Sequence, residues 1–157
     1  MSQKKPININ GWYIYAHPLF VEEIERLTVK VSELRLKYPD KYKEKNATKI
    51  LAAIKKLAFQ DIPNDPTQKQ YRQGDTLGEE HKHWFRAKFY QQYRLFFRYH
   101  LKSKIIVYVW VNNEKTKRAY ESKHDAYRAF KKMLLSGNPP NSWDDLLEAS
   151  IADLDHL

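Results

Sequence analysis

The chain has 157 residues, with 28 Lys and Arg against 19 Asp and Glu and a formal net charge of +9. This length corresponds to one ordinary domain. The absence of Cys excludes both a disulfide framework and a cysteine-ligated metal site. No apolar run approaches the roughly 18 residues that a membrane span requires, and the first residues lack the apolar region of a signal peptide. These features predict a cytoplasmic protein with no membrane association.

The N-terminal part of the chain predicts a strand followed by a long helix. Residues 11–16 (GWYIYA) have the aromatic composition of a short strand. Pro18 suits the first turn of a helix, and His17 before it is expected to cap that helix or to pack as a polar group. The helix is predicted to end near Lys37, because its apolar residues recur at steps of three and four. These residues are Val21, Ile24, Leu27, Val31 and Leu34.

A second helix is predicted after a break at Tyr38-Pro39-Asp40. Apolar residues between Ala47 and Ala58 fall on one helical face. So short a break makes the two helices antiparallel neighbours. Residues 61–80 contain two prolines and two glycines among polar groups, which predicts a loop or irregular excursion.

Three strands follow, at Trp84 to Tyr90, Tyr93 to Leu101 and Lys104 to Val111. Their separations, Gln91-Gln92 and Lys102-Ser103, are short enough to require antiparallel hairpins. The predicted fold class is therefore α+β, a single domain with a helical hairpin packed on one face of an antiparallel sheet.

The C-terminal part predicts two more helices. Ser122 and Asp125 form a capping-box pattern before a helix that runs to about Ser136 and is stopped by Gly137 with Pro139-Pro140. Ser142 and Asp145 repeat the pattern. The helix-prone tail from residue 143 to 157 holds five acids and no Lys or Arg. We therefore divide the chain into a domain of residues 1–142 and an acidic tail of residues 143–157 that is helical or partly disordered. Such a tail either remains solvated or folds back over basic surface.

The second predicted strand, YRLFFRYH, alternates between two faces. One face, shared with the first predicted strand, is apolar and is expected to pack under the helices. It consists of Phe85, Phe89, Leu95, Phe97 and Tyr99. The other face is expected to be open to solvent, and it carries Arg86, Lys88, Arg94, Phe96 and Arg98. Four cations on two adjacent strands repel one another, which indicates an anionic ligand or partner carboxylates.

The charge distribution favours nucleic acid as that ligand. Without the five tail acids, residues 1–142 carry about +14. Residues 81–113 contain seven Lys or Arg, ten aromatic residues and no acid. Cations that neutralise phosphate, interleaved with aromatic rings that stack on bases, are typical of single-stranded RNA binding. A basic protein with an aromatic core remains the simpler alternative.

Several short motifs, in order, resemble the YhaV family. They are Asn10-Gly11-Trp12, Tyr15-Ala16-His17-Pro18, Ala47-Thr48-Lys49, Tyr93 to Tyr99, Asn113-Glu114 with Arg118 and Tyr120, Asp125-Ala126-Tyr127, Lys132-Met133-Leu134, and Gly137 with Pro139-Pro140 and Trp143. The resemblance covers roughly residues 10–143. Its members are toxins of type II toxin–antitoxin systems that look like enlarged RelE-type messenger RNA ribonucleases. The resemblance therefore implies a RelE-like fold, a helical hairpin against an antiparallel sheet.

The resemblance also implies catalytic positions. RelE-type toxins carry basic residues at alternate positions of the first strand of the central meander, which Arg86 and Lys88 match, and an Arg after Tyr on the next strand, which Arg94 matches. A further basic residue after the third strand falls among Lys115, Lys117 and Arg118. The terminal Tyr of the superfamily falls on Tyr120.

Cleavage of RNA without a metal or cofactor needs a base for the 2′-hydroxyl, donors for the phosphorane and an acid for the leaving oxygen. Arg94 suits a phosphate clamp, with a general RNA contact or antitoxin ion pair as the alternatives. Lys88 suits a base if neighbouring cations disfavour its charged form. His83 is a catalytic candidate because histidine titrates near neutral pH. Tyr120 suits a base, an acid or a stacking platform.

The remaining candidates are assigned to RNA contacts. Two of them, Lys115 and Arg118, follow the third strand, and Arg98 lies on the cationic face. His81 and His100 flank the basic strands, with solvated polar residues as their alternative. Phe96 is expected to stack on a base or to meet the antitoxin. The full set is Arg98, Phe96, His81, His100, Lys115 and Arg118.

Three functions remain open from the sequence. The preferred one is a toxin that cleaves messenger RNA, free or on the ribosome, and so inhibits translation. The second is a non-catalytic RNA- or DNA-binding domain that regulates its own operon or binds ribosomal RNA, and the third is an interaction protein with an acidic partner. The resemblance implies a cognate antitoxin of the AbrB-like PrlF type and operator DNA bound through the toxin–antitoxin complex.

Overall fold

The computed structural model describes residues 6–113 and 125–157. The helices are α1 (Pro18–Lys37), α2 (Asn46–Lys56), α3 (Ile62–Asn64), α4 (Asp125–Ser136) and α5 (Trp143–Ala149). The strands are β1 (Ile7–Ile9), β2 (Trp12–Ala16), β3 (Phe85–Phe89), β4 (Tyr93–His100) and β5 (Ile105–Val111). A π-helical turn, Leu57–Asp61, joins α2 to α3. The elements predicted from residues 11 to 58 and 84 to 111 are confirmed, whereas Ser122 of the predicted capping box lies outside the described residues.

Local signals set the ends of α1. The Nδ1 atom of His17 accepts a hydrogen bond from the backbone N–H of Leu19 at 3.2 Å, and Pro18 occupies the first helical position, where a missing N–H is harmless. After Lys37 the N–H of Tyr38 donates to the carbonyl of Leu34 at 2.7 Å. Pro39 then prevents the helix from continuing. The predicted cap and break are both confirmed.

A short strand, β1, precedes the predicted first strand. β1 pairs antiparallel with β2, with Ile9 opposite Trp12. Between them, Asn10 and Gly11 have φ angles of 53° and 87°. A two-residue turn with both φ angles positive matches the twist of a β-hairpin, and Asn-Gly is a preferred pair for it. This hairpin was not predicted from the sequence, although its Asn-Gly turn signal is local.

The described residues form a five-stranded sheet in the order β1-β2-β5-β4-β3. β3, β4 and β5 are antiparallel neighbours, as predicted. β2, however, pairs parallel with β5, with Ile14 opposite Ile106. The sheet is therefore mixed, and the prediction of an antiparallel sheet is correct only for β3 to β5. A parallel pair needs a long crossover, and here α1, α2, β3 and β4 all lie between the two strands.

One sheet face packs against α1 and α2, as the alternation of β4 predicts. This first core includes Phe20 and Ile24 of α1, Ile54 of α2, and Leu95 and Phe97 of β4, all at most 1% exposed. Phe85, Phe89 and Tyr99 pack against its edge. Because every second residue of a strand points to the same face, the predicted core face of the sheet is confirmed.

The opposite face is also covered, which corrects the prediction that helices pack on one face only. α4 places Tyr127 and Phe130 against Phe96 of β4, and Leu134 of α4 belongs to the same second core. Val107 and Val109 of β5 join this core, while Ile106 and Tyr108 join the first. A strand that is apolar on both faces is typical of a sheet buried on both sides.

The acidic segment after residue 142 is attached to both cores. The Oγ atom of Ser142 accepts from the N–H of Asp145 at 3.2 Å and starts α5, whose Leu146 is fully buried in the second core. Ile151 then pairs with Ala16 at the edge of β2. Leu154 is 2% exposed in the first core. Removal of this segment would therefore open both cores.

Among the described residues, no helix combines the length and apolarity needed to cross a membrane.

Candidate active site

Two arginines from neighbouring strands meet at one tyrosine. Arg86 of β3 and Arg94 of β4 lie on the same sheet face, since Lys88 is opposite Arg94 and Arg86 is opposite Phe96. The Nε atom of Arg86 donates to the Oη atom of Tyr127 at 2.8 Å, and the Nε atom of Arg94 donates to the same oxygen at 3.2 Å. α4 supplies this tyrosine by packing across the strands. We call Arg86 and Arg94 the arginine pair.

Backbone carbonyls hold both guanidinium groups in place. The Nη1 atom of Arg86 donates to the carbonyl of Gln70 at 2.7 Å. The Nη1 atom of Arg94 donates to the carbonyls of Gln91 and Tyr93, both at 2.8 Å. Arg86 and Arg94 are only 8% and 7% exposed. The expectation that these side chains point freely into solvent is therefore wrong, because α4 covers them and the loops bind them.

Asn112, directly after β5, connects this site to the turn between β3 and β4. Its Oδ1 atom accepts from the backbone N–H of Arg94 at 2.7 Å, and its Nδ2 atom donates to the carbonyl of Gln92 at 2.9 Å. The backbone that carries Arg94 is thus fixed as well as its side chain. Fixed donors stabilise a developing charge without having to reorganise during the reaction.

The electrostatics of the arginine pair favour an anion. Within the described residues, no carboxylate forms an ion pair with Arg86 or Arg94. Two cations that share one neutral hydroxyl repel each other at low local dielectric. A phosphate group placed beside them would remove this repulsion and could accept charge-assisted hydrogen bonds.

Arg86 and Lys88 line a cleft of about 820 Å³ along β3. Its other basic residues are Lys69 and Arg72, both exposed. Lys88 is exposed as well, so its ammonium group can reach a ligand in the cleft. Ligand-binding pockets are typically about 300–1,000 Å³, and a phosphodiester with its flanking nucleosides is a ligand of that class.

The predicted catalytic residue His83 belongs to a separate cluster around Asn141. The Oδ1 atom of Asn141 accepts from Trp84 Nε1 at 2.9 Å and lies 3.0 Å from His83 Nε2 and 3.3 Å from His81 Nδ1. Burial lowers the pKa of His83, and the charge of Arg98 lowers it further. His81 and His83 do not line the cleft. The structure thus places these histidines with Asn141 rather than with Lys88 along the cleft.

Arg98 and His100 border the same cluster. Arg98 lies over the rings of Trp84 and Trp143, with its Cζ atom 5.3 and 5.5 Å from their centroids, and donates to the carbonyl of Asn141 at 2.7 Å. Burial lowers the pKa of Arg98 to about 10, so it is charged at neutral pH. The exposed His100 stacks on Trp143 with a centroid distance of 5.4 Å. Arg98 therefore helps to hold the start of α5, and His100 remains accessible to a ligand.

The expected exposure of Phe96 is wrong. Its ring is fully buried, stacked on Phe130 at a centroid distance of 4.3 Å and on Trp110 at 5.9 Å. The reason is α4, whose apolar face covers β4 where an open surface was expected. Phe96 cannot stack on a base without unpacking this second core.

The candidates between β5 and α4 lie outside the described residues. They are Lys115, Lys117, Arg118 and Tyr120. Their predicted contributions to catalysis and RNA binding stay predictions.

Within residues 6–113 and 125–157, no group of three or more His, Asp or Glu side chains is arranged to hold a metal ion.

The family model of toxins with endonuclease activity from toxin–antitoxin systems, Toxin_YhaV, matches residues 14–151. This chain belongs to the YhaV toxin family. It is 44% identical over 143 residues to the "Ribonuclease toxin YhaV" of Escherichia coli strain K12, which covers 90% of this chain and 93% of that protein. It is 43% identical over 145 residues to the "Toxin YhaV" of Escherichia coli O6:H1, with coverage of 91% and 94%. No solved structure matches the chain significantly.

As a YhaV toxin, the protein is an endonuclease that has an antitoxin partner. Arg86, Lys88 and Arg94 share one sheet face, as predicted from the sequence, and Arg86 and Lys88 also line the cleft, whereas Arg94 does not. The contribution of Tyr127 was not predicted from the sequence. The available signal was the helical spacing of Tyr127 and Phe130, which predicts a helix face packed on another element.

Proposed function

We propose that this YhaV toxin cleaves single-stranded RNA, including messenger RNA, in the cleft along β3. The observation that supports this most directly is the arginine pair held on Tyr127. Arg86 of this pair lines the basic cleft, and no carboxylate of the described residues forms an ion pair with either arginine. Endonuclease activity is a property of the family, and the K12 relative is named a ribonuclease toxin. RNA supplies both the phosphate that the arginines suit and an internal nucleophile.

The proposed reaction is a transesterification within one nucleotide. The 2′-oxygen attacks phosphorus, an O2′–P bond forms and the P–O5′ bond breaks. A base takes the 2′-hydroxyl proton, and an acid supplies a proton to the departing 5′-oxygen. The products are a 5′-hydroxyl end and a 2′,3′-cyclic phosphate that hydrolyses to a 3′-phosphate. No metal and no cofactor enters these steps.

In this mechanism Arg86 and Arg94 stabilise the negative charge that develops on the phosphorane. A guanidinium group is a permanent cation with donors in a fixed geometry, and the fixed positions of these two allow them to favour the transition state over the bound substrate. Lys88 contacts the same phosphodiester in this proposal, which its exposed position in the cleft lining supports. The candidates for base and acid are Lys88, for the neighbouring cations that disfavour its charged form, Tyr120, from the family resemblance, and His83, for the pH range in which histidine titrates.

The finer assignments of the fold, the partners and the cellular location follow from the same resemblance. We propose that the fold is an enlarged RelE-like fold, supported by the helical hairpin packed on the β3–β4–β5 meander. We further propose an AbrB-like, PrlF-type antitoxin, operator DNA bound by the toxin–antitoxin complex, and action in the cytoplasm on free or ribosome-bound messenger RNA.

Mapped cleavage of a defined single-stranded RNA in the presence of EDTA tests this proposal. Wild-type protein should produce 5′-hydroxyl and 2′,3′-cyclic phosphate ends. Arg94→Ala should lower the rate by roughly 10²–10³, as for loss of one donor to a transition-state anion. Arg128→Ala is the matched control, because Arg128 is an exposed arginine on α4 next to Tyr127.

Three results would contradict the proposal. One is a requirement for a divalent metal, another is 5′-phosphate ends, and the third is unchanged cleavage by a folded Arg94→Ala protein. A graded loss of RNA binding without any cleavage would favour the non-catalytic binding domain instead. In cells, induction of the toxin alone should stop growth, and co-expression of its antitoxin should restore it.

A further inference from the structure

The lining of the cleft contains two chemically different sets of side chains. The basic lining consists of Lys69, Arg72, Arg86 and Lys88. The carboxamide lining consists of Gln60, Asn64, Gln68 and Gln70. Cations alone would be sufficient to hold a phosphate backbone. Four carboxamides in the same cleft indicate a second kind of contact.

The helical run from α2 to α3 directs Gln60 and Asn64 into the cleft. Leu57, Gln60, Asp61 and Asn64 all line it, and their spacing of three and four residues corresponds to one helical face. The π-helical turn at Leu57–Asp61 belongs to this run. Such turns are frequent at functional sites, and here the turn contributes three residues of the lining.

Gln60 and Asn64 are the carboxamides that remain available for a ligand. Both residues are exposed, and no residue in the described ranges hydrogen-bonds their side-chain amides. Gln68 and Gln70 differ, because their side chains hydrogen-bond each other. The carbonyl of Gln70 also holds Arg86, so this pair has a structural explanation that Gln60 and Asn64 lack.

The carboxylate of Asp61 disfavours the binding of phosphate at this end of the cleft. Asp61 lines the cleft together with Gln60 and Asn64, and its carboxylate lies 3.4 Å from Lys56 Nζ. A carboxylate repels phosphate but accepts a hydrogen bond from the exocyclic amine of a base. The helical run therefore suits base edges, and the basic lining suits the backbone that carries them.

The exposed aromatic ring of Tyr90 lies in a hollow next to the cleft. A neighbouring hollow of about 390 Å³ shares Leu57 and Asp61 with the cleft and reaches Phe89 and Tyr90. Tyr90 is 55% exposed at the turn after β3. Exposed aromatic rings provide platforms on which the bases of single strands stack. A single-stranded chain in the cleft could thus continue onto Tyr90.

We infer that Gln60 and Asn64 form a base-reading subsite, which gives the toxin a sequence preference at the nucleotides next to the cleaved bond. This inference rests on the proposed ribonuclease function. A carboxamide presents a donor and an acceptor side by side, which matches the paired N6 donor and N7 acceptor of adenine. Bases of single-stranded RNA are free to present such edges. Adenine is therefore the base that the subsite should prefer.

Selection from a pool of randomised, fully 2′-O-methylated single-stranded RNA tests the inference, because these molecules bind but lack the attacking hydroxyl. Wild-type protein and four variants are compared by sequencing the bound RNA. Gln60→Ala and Asn64→Ala each remove one carboxamide, and Lys88→Ala removes one basic contact. Asn46→Ala is the control, because Asn46 is an exposed carboxamide at the start of α2 that does not line the cleft. Cleavage of unmodified RNA by the same wild-type preparation is measured in parallel.

Wild-type protein and Asn46→Ala should enrich adenine at the same positions. Gln60→Ala and Asn64→Ala should each lose roughly tenfold of this discrimination at one position, and Lys88→Ala should lower affinity for all sequences alike. Enrichment of another base that these two variants lose would support the subsite and change only the base it reads. A wild-type protein without base preference, or a wild-type profile in both carboxamide variants, would overturn the inference. Base preference without cleavage of unmodified RNA would support the subsite and overturn the proposed chemistry.

Discussion

Tyr127→Phe removes one oxygen and leaves the ring that packs in the second core. The Oη atom of Tyr127 accepts from Arg86 Nε at 2.8 Å and from Arg94 Nε at 3.2 Å. A hydrogen bond from a charged donor contributes about 1.5–3 kcal/mol, and the longer Arg94 bond should contribute less than the shorter one. Each guanidinium keeps its bonds to backbone carbonyls. We therefore expect the free energy of unfolding to fall by about 2–4 kcal/mol.

The same substitution should lower cleavage, because the arginines lose the oxygen that holds them side by side. A shift of both donors from their positions should reduce kcat by roughly 10–100-fold. KM should change less, because Lys88 and the other cations of the cleft still bind the backbone. Unfolding in urea and single-turnover cleavage of a defined RNA measure the two effects separately.

Phe130→Leu is the control for Tyr127→Phe, since it also perturbs α4 packing in the second core but leaves the arginine contacts intact. It should lower stability with little effect on kcat in folded protein. Unchanged stability and kcat in Tyr127→Phe would refute the reasoning that this hydroxyl positions the arginine pair. An equal loss of kcat in both variants would show that Tyr127 acts only through packing.

Three further predictions concern other parts of the fold. Phe96→Ala should lower the free energy of unfolding by about 3–5 kcal/mol, and a loss below about 1 kcal/mol in a urea titration would contradict the burial of Phe96. Burial lowers the pKa of His83 below its ordinary value of 6.5, so the unfolded state binds this proton at a higher pH than the folded state does. As the pH is lowered, the free energy of unfolding should therefore fall more steeply in wild-type protein than in His83→Gln, compared by unfolding at pH 7.5 and 5.5. Replacing Asp144 and Asp145 by Asn and Glu148 by Gln should tighten RNA binding at low salt, because it removes negative charge that repels RNA from α5. The difference in RNA affinity between variant and wild-type protein should shrink as salt rises, and equal affinity at low salt would exclude this repulsion.

Local sequence patterns determined the faces of the strands and the ends of the helices in much of this protein. Alternation along YRLFFRYH assigns Leu95 and Phe97 to one sheet face and Arg94 to the other, because successive side chains of a strand point in opposite directions. Pro18 and Pro39 bracket α1, because proline restricts its own backbone and that of the residue before it. These interactions involve residues close in the chain, so they can be predicted without knowledge of the fold. The Asn10-Gly11 turn, which was not predicted, also depends only on residues close in the chain.

Only the tertiary structure decided what covers each face and which distant residues meet. The parallel pairing of β2 with β5 and the packing of α4 on the cationic face join segments far apart in the chain. Periodicity shows that a face is apolar or basic, but it does not specify the element that packs against it. Tyr127 lies 41 residues from Arg86 and 33 from Arg94, and its contact with both depends on α4 burying Phe130 over Phe96. The arginine pair could thus be predicted as a basic face, whereas its fixed geometry arises from the second core.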